Sequence, residues 1–219
     1  MSGISVYKIY QRLFQRYGPQ NWWPASSRFE VMVGAILTQN TSWTNVERAI
    51  ISLKRERVLS CNKLANMPHA QLAQLLTPVG YFNVKAHRLQ HFCQWYDEQG
   101  GYRKLSAFET DKLRHALLGV HGVGPETADD ILLYAFERPV FVIDAYTRRL
   151  FSRLGMAEDN VNYETLRQWF EQRLSRCKDR VTVFNEYHAL IVLHAKQVCL
   201  ARQPRCESCT LQRYCDYGD

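Results

Sequence analysis

Four cysteines near the C-terminus, Cys199, Cys206, Cys209 and Cys215, are spaced C-x6-C-x2-C-x5-C. Thiolates so close together suit a soft metal centre. The stretch between them is short, polar and rich in Arg, Pro and Ser, so it has no apolar core to hold it. Only one short C-x2-C knuckle is present, whereas structural zinc sites usually pair two. The spacing favours an iron–sulfur cluster over zinc. Two disulfides are the remaining alternative, and nothing else in the sequence points to an oxidising compartment. Cys61, Cys93 and Cys177 are scattered through helical patterns and read as packing residues.

A second dense region runs Leu117-Leu-Gly-Val-His-Gly-Val-Gly-Pro-Glu-Thr-Ala-Asp129. A helix is expected to end near Leu118, Gly122-Val-Gly124 to make a tight turn, and a new helix to start near Pro125. Glycines let a backbone approach a ligand closely, and a helix start offers free N–H groups and a positive dipole end. That combination suits one phosphate and reads no sequence. Downstream, Val140-Phe-Val-Ile-Asp-Ala-Tyr-Thr-Arg-Arg-Leu150 delivers Asp144 to the start of another helix. Asp144 is either an ordinary helix cap or a carboxylate held rigidly for catalysis.

The elements that must position these groups are helical. Phe29, Met32, Val33, Ile36 and Leu37 repeat as a buried helix face, with Ser27 as a cap. Ala128, Ile131, Leu132 and Ala135 repeat it, as do Phe184, Tyr187, Ile191, Ala195 and Val198. Glycines and prolines fall between such stretches. The only strand-like run is Pro139 to Ile143, and no partner strand accompanies it. The expectation is an all-α fold of nine or ten helices with short connections.

The chain has 219 residues, room for one large domain or two small ones. No apolar run approaches the ~18 residues of a membrane span, and the opening MSGISVYKIYQRLF is amphipathic, unlike a signal sequence. Lys and Arg number 28 against 21 Asp and Glu, a net charge of +7. Twenty of those cations are Arg, whose planar fork suits phosphate oxygens. A polyanionic partner fits this bias, as does a merely basic surface.

Taken together, the Gly/Pro-rich turn between two helices, the Asp about 20 residues later and the terminal cysteines resemble the endonuclease III branch of DNA glycosylases. The resemblance runs from about Phe29 to Cys215. It implies two helical lobes flanking a DNA-binding cleft. One would be a helical barrel, 28–139, with a helix-hairpin-helix at about 112–137. The other would join 1–27 to 140–219 and carry a 4Fe-4S cluster loop, 199–215, on Cys199, Cys206, Cys209 and Cys215. It also implies double-stranded DNA with damaged bases as partner, a flipped nucleotide, a monomer without membrane attachment, and a cytoplasmic, nucleoid-associated location if bacterial or archaeal.

Bifunctional members of that branch carry a Lys two residues after the second hairpin glycine, which attacks the sugar. Here Gly124 is followed by Pro125 and Glu126. A carboxylate forms no Schiff base, so a monofunctional hydrolase is expected. Val33-Gly-Ala-Ile-Leu-Thr-Gln-Asn-Thr-Ser-Trp43, Pro78-Val-Gly-Tyr-Phe-Asn-Val-Lys-Ala-His-Arg88 and Trp22-Trp-Pro24 look like the 3-methyladenine glycosylases of the same branch. One departure is that the best-known members of that subfamily lack the cluster cysteines. The resemblance assigns Asp144 and Glu126 to catalysis and Trp22, Trp23, Pro24 and Trp43 to the base pocket. It assigns Asn40, His121, Gly122, Val123, Gly124 and Thr127 to DNA. An N3-alkylated purine is already cationic; its departure leaves a positive sugar that a carboxylate stabilises, and aromatic faces attract a cationic ring. The alternatives are a mismatched, deaminated or oxidised base, with AP lyase activity in some cases, or a non-catalytic damage-binding protein. Lys196 and the Arg148-Arg149 pair are further candidates for phosphate contact.

Overall fold

The computed structural model describes residues 3–217; the first two and last two positions of the expected terminal lobe lie outside the described residues. In chain order the helices are α1 (Val6–Tyr17), α2 (Arg28–Leu37), α3 (Trp43–Arg55), α4 (Cys61–Asn66), α5 (His69–Leu75), α6 (Phe82–Glu98), α7 (Gly101–Leu105), α8 (Thr110–Leu118), α9 (Pro125–Asp130), α10 (Ala145–Arg153), α11 (Tyr163–Arg173) and α12 (Arg180–Gln197). Among the described residues twelve α-helices stand where periodicity predicts nine or ten. The extra α4, α5 and α7 span six, seven and five residues, too short for a 3.6-residue repeat to show. No strand occurs among the described residues. Pro139 to Ile143 is extended, and its backbone N–H groups go to side chains: Phe141 N to Glu171 Oε1 (3.0 Å) and Ile143 N to Tyr163 Oη (3.4 Å).

Backbone contacts divide the chain into two compact units. The central unit covers 25–138; the terminal unit joins the residues up to Pro24 to those from Pro139 onward. In the central unit α2 is the core element. Ser27 caps it, its side chain accepting from Glu30 N. From Val31 to Leu37 every residue is buried, as expected for a helix apolar on all sides. Glu30 is buried too, yet its carboxyl is held below the usual range: burial pushes it up, but Lys54 Nζ at 2.6 Å and Ser26 outweigh that.

The terminal unit is built on stacked aromatics. Phe141 and Phe170 lie 4.2 Å apart and nearly parallel, with Phe151 edge-on to Phe170 at 4.5 Å. Each fully buried ring contributes roughly 1.5–3 kcal/mol. Tyr187 of α12 donates to Val6 O (2.9 Å), which ties the N-terminal segment to this core. Cys177 lies in the α11–α12 loop, a correction to its helical reading. Helix α11 ends at Arg173, and Asp179 caps α12 by accepting from Thr182 N.

Candidate active site

Asp144 is the N-cap of α10: Oδ1 accepts from Thr147 N at 2.7 Å. Its other oxygen, Oδ2, lies 3.3 Å from His188 Nε2 on α12. One oxygen therefore serves the helix, as the cap reading expects, and the other faces an imidazole. Asp144 is 8% exposed. Burial pushes its carboxyl up, but the His188 hydrogen bond and charge, with the Thr147 contacts, outweigh burial and hold it below the ordinary value. The carboxylate is thus kept ionised.

Helix α10 is also bound to the cysteine loop at its far end. Arg149 donates from Nε to Cys199 O (3.0 Å) and from Nη2 to Ala195 O (3.1 Å). Arg153 Nη1 reaches Leu200 O at 2.8 Å and Cys199 Sγ at 3.3 Å. Cys215 Sγ returns to Arg153 O at 3.2 Å. Arg148 Nη1 donates to Val161 O at 2.6 Å. The Arg148-Arg149 pair is therefore engaged with backbone carbonyls inside the unit. Lys196 is exposed, with Nζ 5.6 Å from the Tyr146 ring.

Cys199, Cys206, Cys209 and Cys215 line one cavity of about 50 Å³, with Leu150, Arg153, Leu154 and Leu211. All four are free thiols, so the disulfide alternative is not realised. Leu211 N donates to Cys209 Sγ at 3.4 Å. Burial, and then the neighbouring cysteines, push the Cys209 and Cys215 thiols up. Among the described residues no three His, Cys, Asp or Glu side chains are gathered tightly enough to hold a single metal ion.

The central unit carries the hairpin. Helix α8 ends at Leu118 and α9 begins at Pro125, with Gly124 as its N-cap. Gly122 has φ +89°, and a Cβ there would run into Arg88 Cγ and Cδ, the latter at 2.7 Å. Gly124 is different: a Cβ would meet nothing within 4 Å. Its smallness answers no demand of the fold and leaves room outside. His121 and Glu126 are exposed. Val123 and Thr127 are 7% and 5% exposed, so their side chains face inward and leave the backbone of the turn for a phosphate. They shape the turn from within: Thr127 Oγ1 accepts from Gln39 Nε2 at 2.9 Å, and Gly122 O accepts from the same group at 2.9 Å. Arg88 Nη1 completes the link by donating to Gln39 Oε1. Behind the turn, Arg114 grips Asp129 through two bonds of 2.6 and 3.1 Å. Helix α9 runs on as a π-helical turn, Ile131–Ala135, closed by Phe136 N to Ile131 O (3.2 Å). Such turns recur at functional sites.

Two further loops join this network. Asn40 is exposed with φ +53°, just past the end of α2. Tyr81 is 77% exposed with φ +45°, just before α6. Both backbones are in a conformation that non-glycine residues rarely take. Lys85, fully buried, binds the two loops together: Nζ donates to Leu37 O (2.9 Å) and to Val79 O (2.8 Å). Trp43, at the start of α3, is half-buried. In the terminal unit Trp22 and Trp23 are also half-buried, joined by a cis peptide bond, with rings edge-to-face at 6.2 Å. Pro24 follows them, exposed.

Residues 33–176 match the family described as HhH-GPD superfamily base excision DNA repair protein. The chain belongs to this family. Along 96% of its length it is 48% identical to the Methanocaldococcus jannaschii protein MJ1434, whose name assigns it to the DNA repair glycosylases, and covers 95% of that protein. It is 27% identical to an endonuclease III of Sulfolobus acidocaldarius over 86% of this chain and 82% of that one. Among solved structures, the Helicobacter pylori 3-methyladenine DNA glycosylase MagIII bound to 1,N6-ethenoadenine superposes with a TM-score of 0.78. It is 27% identical, over 89% of this chain and 98% of that one. The HhH-GPD chain is thus an endonuclease III-like DNA glycosylase. No described helix is long and apolar enough to cross a membrane.

In this HhH-GPD glycosylase several side chains stand out that sequence reasoning missed. His188 lies 44 positions beyond Asp144 in an apolar helix, where nothing local marks it. Gln39, Arg88 and Lys85 are ordinary polar residues until the fold shows what they join. Tyr81 had a signal in hindsight: an aromatic directly after Gly80, in a segment already singled out.

Proposed function

We propose that this glycosylase is monofunctional and hydrolyses the N-glycosidic bond of an alkylated purine, such as 3-methyladenine, flipped from double-stranded DNA. The observation that carries this reading is Glu126, exposed in the first turn of α9 immediately after Gly124-Pro125. A carboxylate there supplies no amine for attack on the sugar, so water must take that part. The likeness to the MagIII glycosylase with its bound adenine adduct supports the substrate class.

In this reading Asp144 does the electrostatic work. As the cationic base departs, positive charge grows on the deoxyribose, and an ionised carboxylate fixed beforehand stabilises it without reorganising. Thr147 N and His188 hold it in place and ionised. Asp144 also orients, or takes a proton from, the attacking water. Glu126 adds attraction for the cationic purine, and Trp22, Trp23, Pro24 and Trp43 are assigned to contacts with the base. The hairpin from His121 to Gly124 holds a phosphate through its backbone, Thr127 supporting it from inside, and Asn40 fills the gap left by the base.

Cys199, Cys206, Cys209 and Cys215 fit a 4Fe-4S cluster. They are free thiols around one cavity, with a backbone N–H on Cys209 Sγ and the Arg153 guanidinium on Cys199 Sγ. Tetrahedral zinc would draw its four sulfurs to within about 4 Å of one another; a larger cluster does not need that convergence. Bound there, the cluster supplies a rigid covalent staple for an otherwise coreless loop. A genomic substrate fits a monomer working inside the cell, at the nucleoid if the host is a bacterium or archaeon.

The test is a panel of duplexes carrying methylated, deaminated, mismatched or oxidised bases, assayed for free base. Release of 3-methyladenine, with strand breaks only after alkali, is expected. Release confined to mismatched or oxidised duplexes, or an adduct trapped by borohydride, refutes the reading. Purified protein should be yellow-brown and contain iron and sulfide; a colourless zinc protein refutes the cluster.

A further inference from the structure

Half of the central unit's DNA-facing reading rests on the hairpin, and a row of imidazoles leads straight to it. His87 and His91 sit one helical turn apart on α6, both exposed. The His87 ring stacks on His69 of α5, with centroids 3.8 Å apart and planes 21° from parallel. His87 and His91 rings are 6.4 Å apart. The His91 ring in turn meets His121 edge-on at 5.2 Å. His121 directly precedes Gly122, against whose Cα the Arg88 side chain of the same helix is packed. Four of the chain's seven histidines therefore form one continuous track that ends on the hairpin turn.

We propose that His69, His87, His91 and His121 form a second contact for the DNA backbone, extending the hairpin's phosphate grip along α6 and tightening as pH falls. The proposal rests on the hairpin as the DNA-holding element. An imidazole always offers at least one N–H to a phosphate oxygen. It is also the one side chain that ordinarily gains its charge between pH 5 and 8. Each protonated ring that meets a phosphate displaces a condensed counterion.

Several charged groups around the row are occupied. On α6, Lys85 is buried on two carbonyls and Arg88 is engaged by Gln39. On α4, Lys63 donates to Arg57 O. On α2, Glu30 is paired with Lys54. Helix α5 carries no Asp, Glu, Lys or Arg, and its His69 faces Gln90 Oε1 at 3.3 Å. On α8, Arg114 is paired with Asp129, and Lys112 lies over the Phe108 ring. Arg28 of α2 pairs with Glu137 (3.4 Å), and His115 and Asp111 of α8, Glu126 of α9 and Asp97 and Glu98 at the far end of α6 are exposed. Arg103 and Lys104 sit in the last turn of α7.

The experiment measures the Kd for an undamaged fluorescent duplex at about pH 8 and about pH 6, at two salt concentrations, with a chelator present. Wild type should bind ~10-fold tighter at the lower pH, with a steeper salt dependence by one to two counterions. The double variant His87→Ala/His91→Ala should lose that pH response, and His87→Lys/His91→Lys should bind tightly at both pH values. His115→Ala, outside the row, should keep the wild-type response. If the double alanine variant responds to pH as wild type does, the histidine track is refuted while the hairpin stands. If wild type has no measurable affinity for duplex at either pH, the hairpin reading fails with it.

Discussion

Replacing Asp144 by Asn separates catalysis from folding. Asn caps a helix about as well as Asp, so its side-chain oxygen takes over the 2.7 Å bond from Thr147 N. What disappears is the charge facing His188 and the dipole of α10. A hydrogen bond to a charged group exceeds a neutral one by about 1 kcal/mol, and a carboxylate at a helix N-terminus contributes roughly 0.3–1 kcal/mol. The Asn variant should therefore lose about 1–2 kcal/mol at neutral pH, a Tm drop of roughly 2–8 °C for a chain of this size. The sign with pH follows from the lowered carboxyl. The wild-type advantage is present above the unfolded carboxyl's value near ~3.9 and disappears as pH falls through the lower folded value. Base release should suffer far more, by about 10²–10³-fold, as expected for removing one preorganised charge-stabilising group. Single-turnover release of 3-methyladenine, beside thermal melts across acid pH, reads both effects. A variant that folds and still releases base within about threefold of wild type refutes the carboxylate mechanism.

Asp129→Ala leaves Arg114 buried without its bidentate partner and should cost about 3–5 kcal/mol, seen as a marked fall in Tm; an unchanged melt contradicts the pairing. Gly124→Ala should melt like wild type, since its Cβ meets nothing in the protein, yet weaken duplex binding; equal affinity would show that no backbone approaches closely there. Glu126→Lys restores an amine at the hairpin and should yield a borohydride-trapped adduct with damaged DNA, readable as a gel shift; no adduct would show that position 126 does not reach the sugar. Arg153→Leu removes donors to Cys199 Sγ, Leu200 O and Ala201 O and should lower the iron content and Tm of purified protein together; wild-type iron with a wild-type melt counts against the α10–loop link.

The all-helical fold was legible because long helices such as α2 and α12 carry strong patterns. The breaker-rich turn at Gly122–Pro125 and the cap at Ser27 also declare themselves locally. The short helices α4, α5 and α7 were not legible, because one or two turns carry no period. The chemistry divides along the same line. Cys199 to Cys215 and Asp144 stand out through spacing and position. His188 and Gln39 matter only through partners 44 to 88 positions away, and no local pattern encodes such a pairing. Thr127 and Val123 show the converse: membership in a motif does not say whether a side chain points out or in.

Lys85 offers a built-in reporter. Burial, and then the nearby Arg88, lower its amine to about 8, a value that in solution makes a lysine quick to acylate. Sealed between the carbonyls of Leu37 and Val79, it should instead be the slowest of the eight lysines to label. Its protection measures how long the Asn40 and Tyr81 loops stay clasped, so mass-spectrometric footprinting at this one position can time the opening of that clasp when a duplex is engaged.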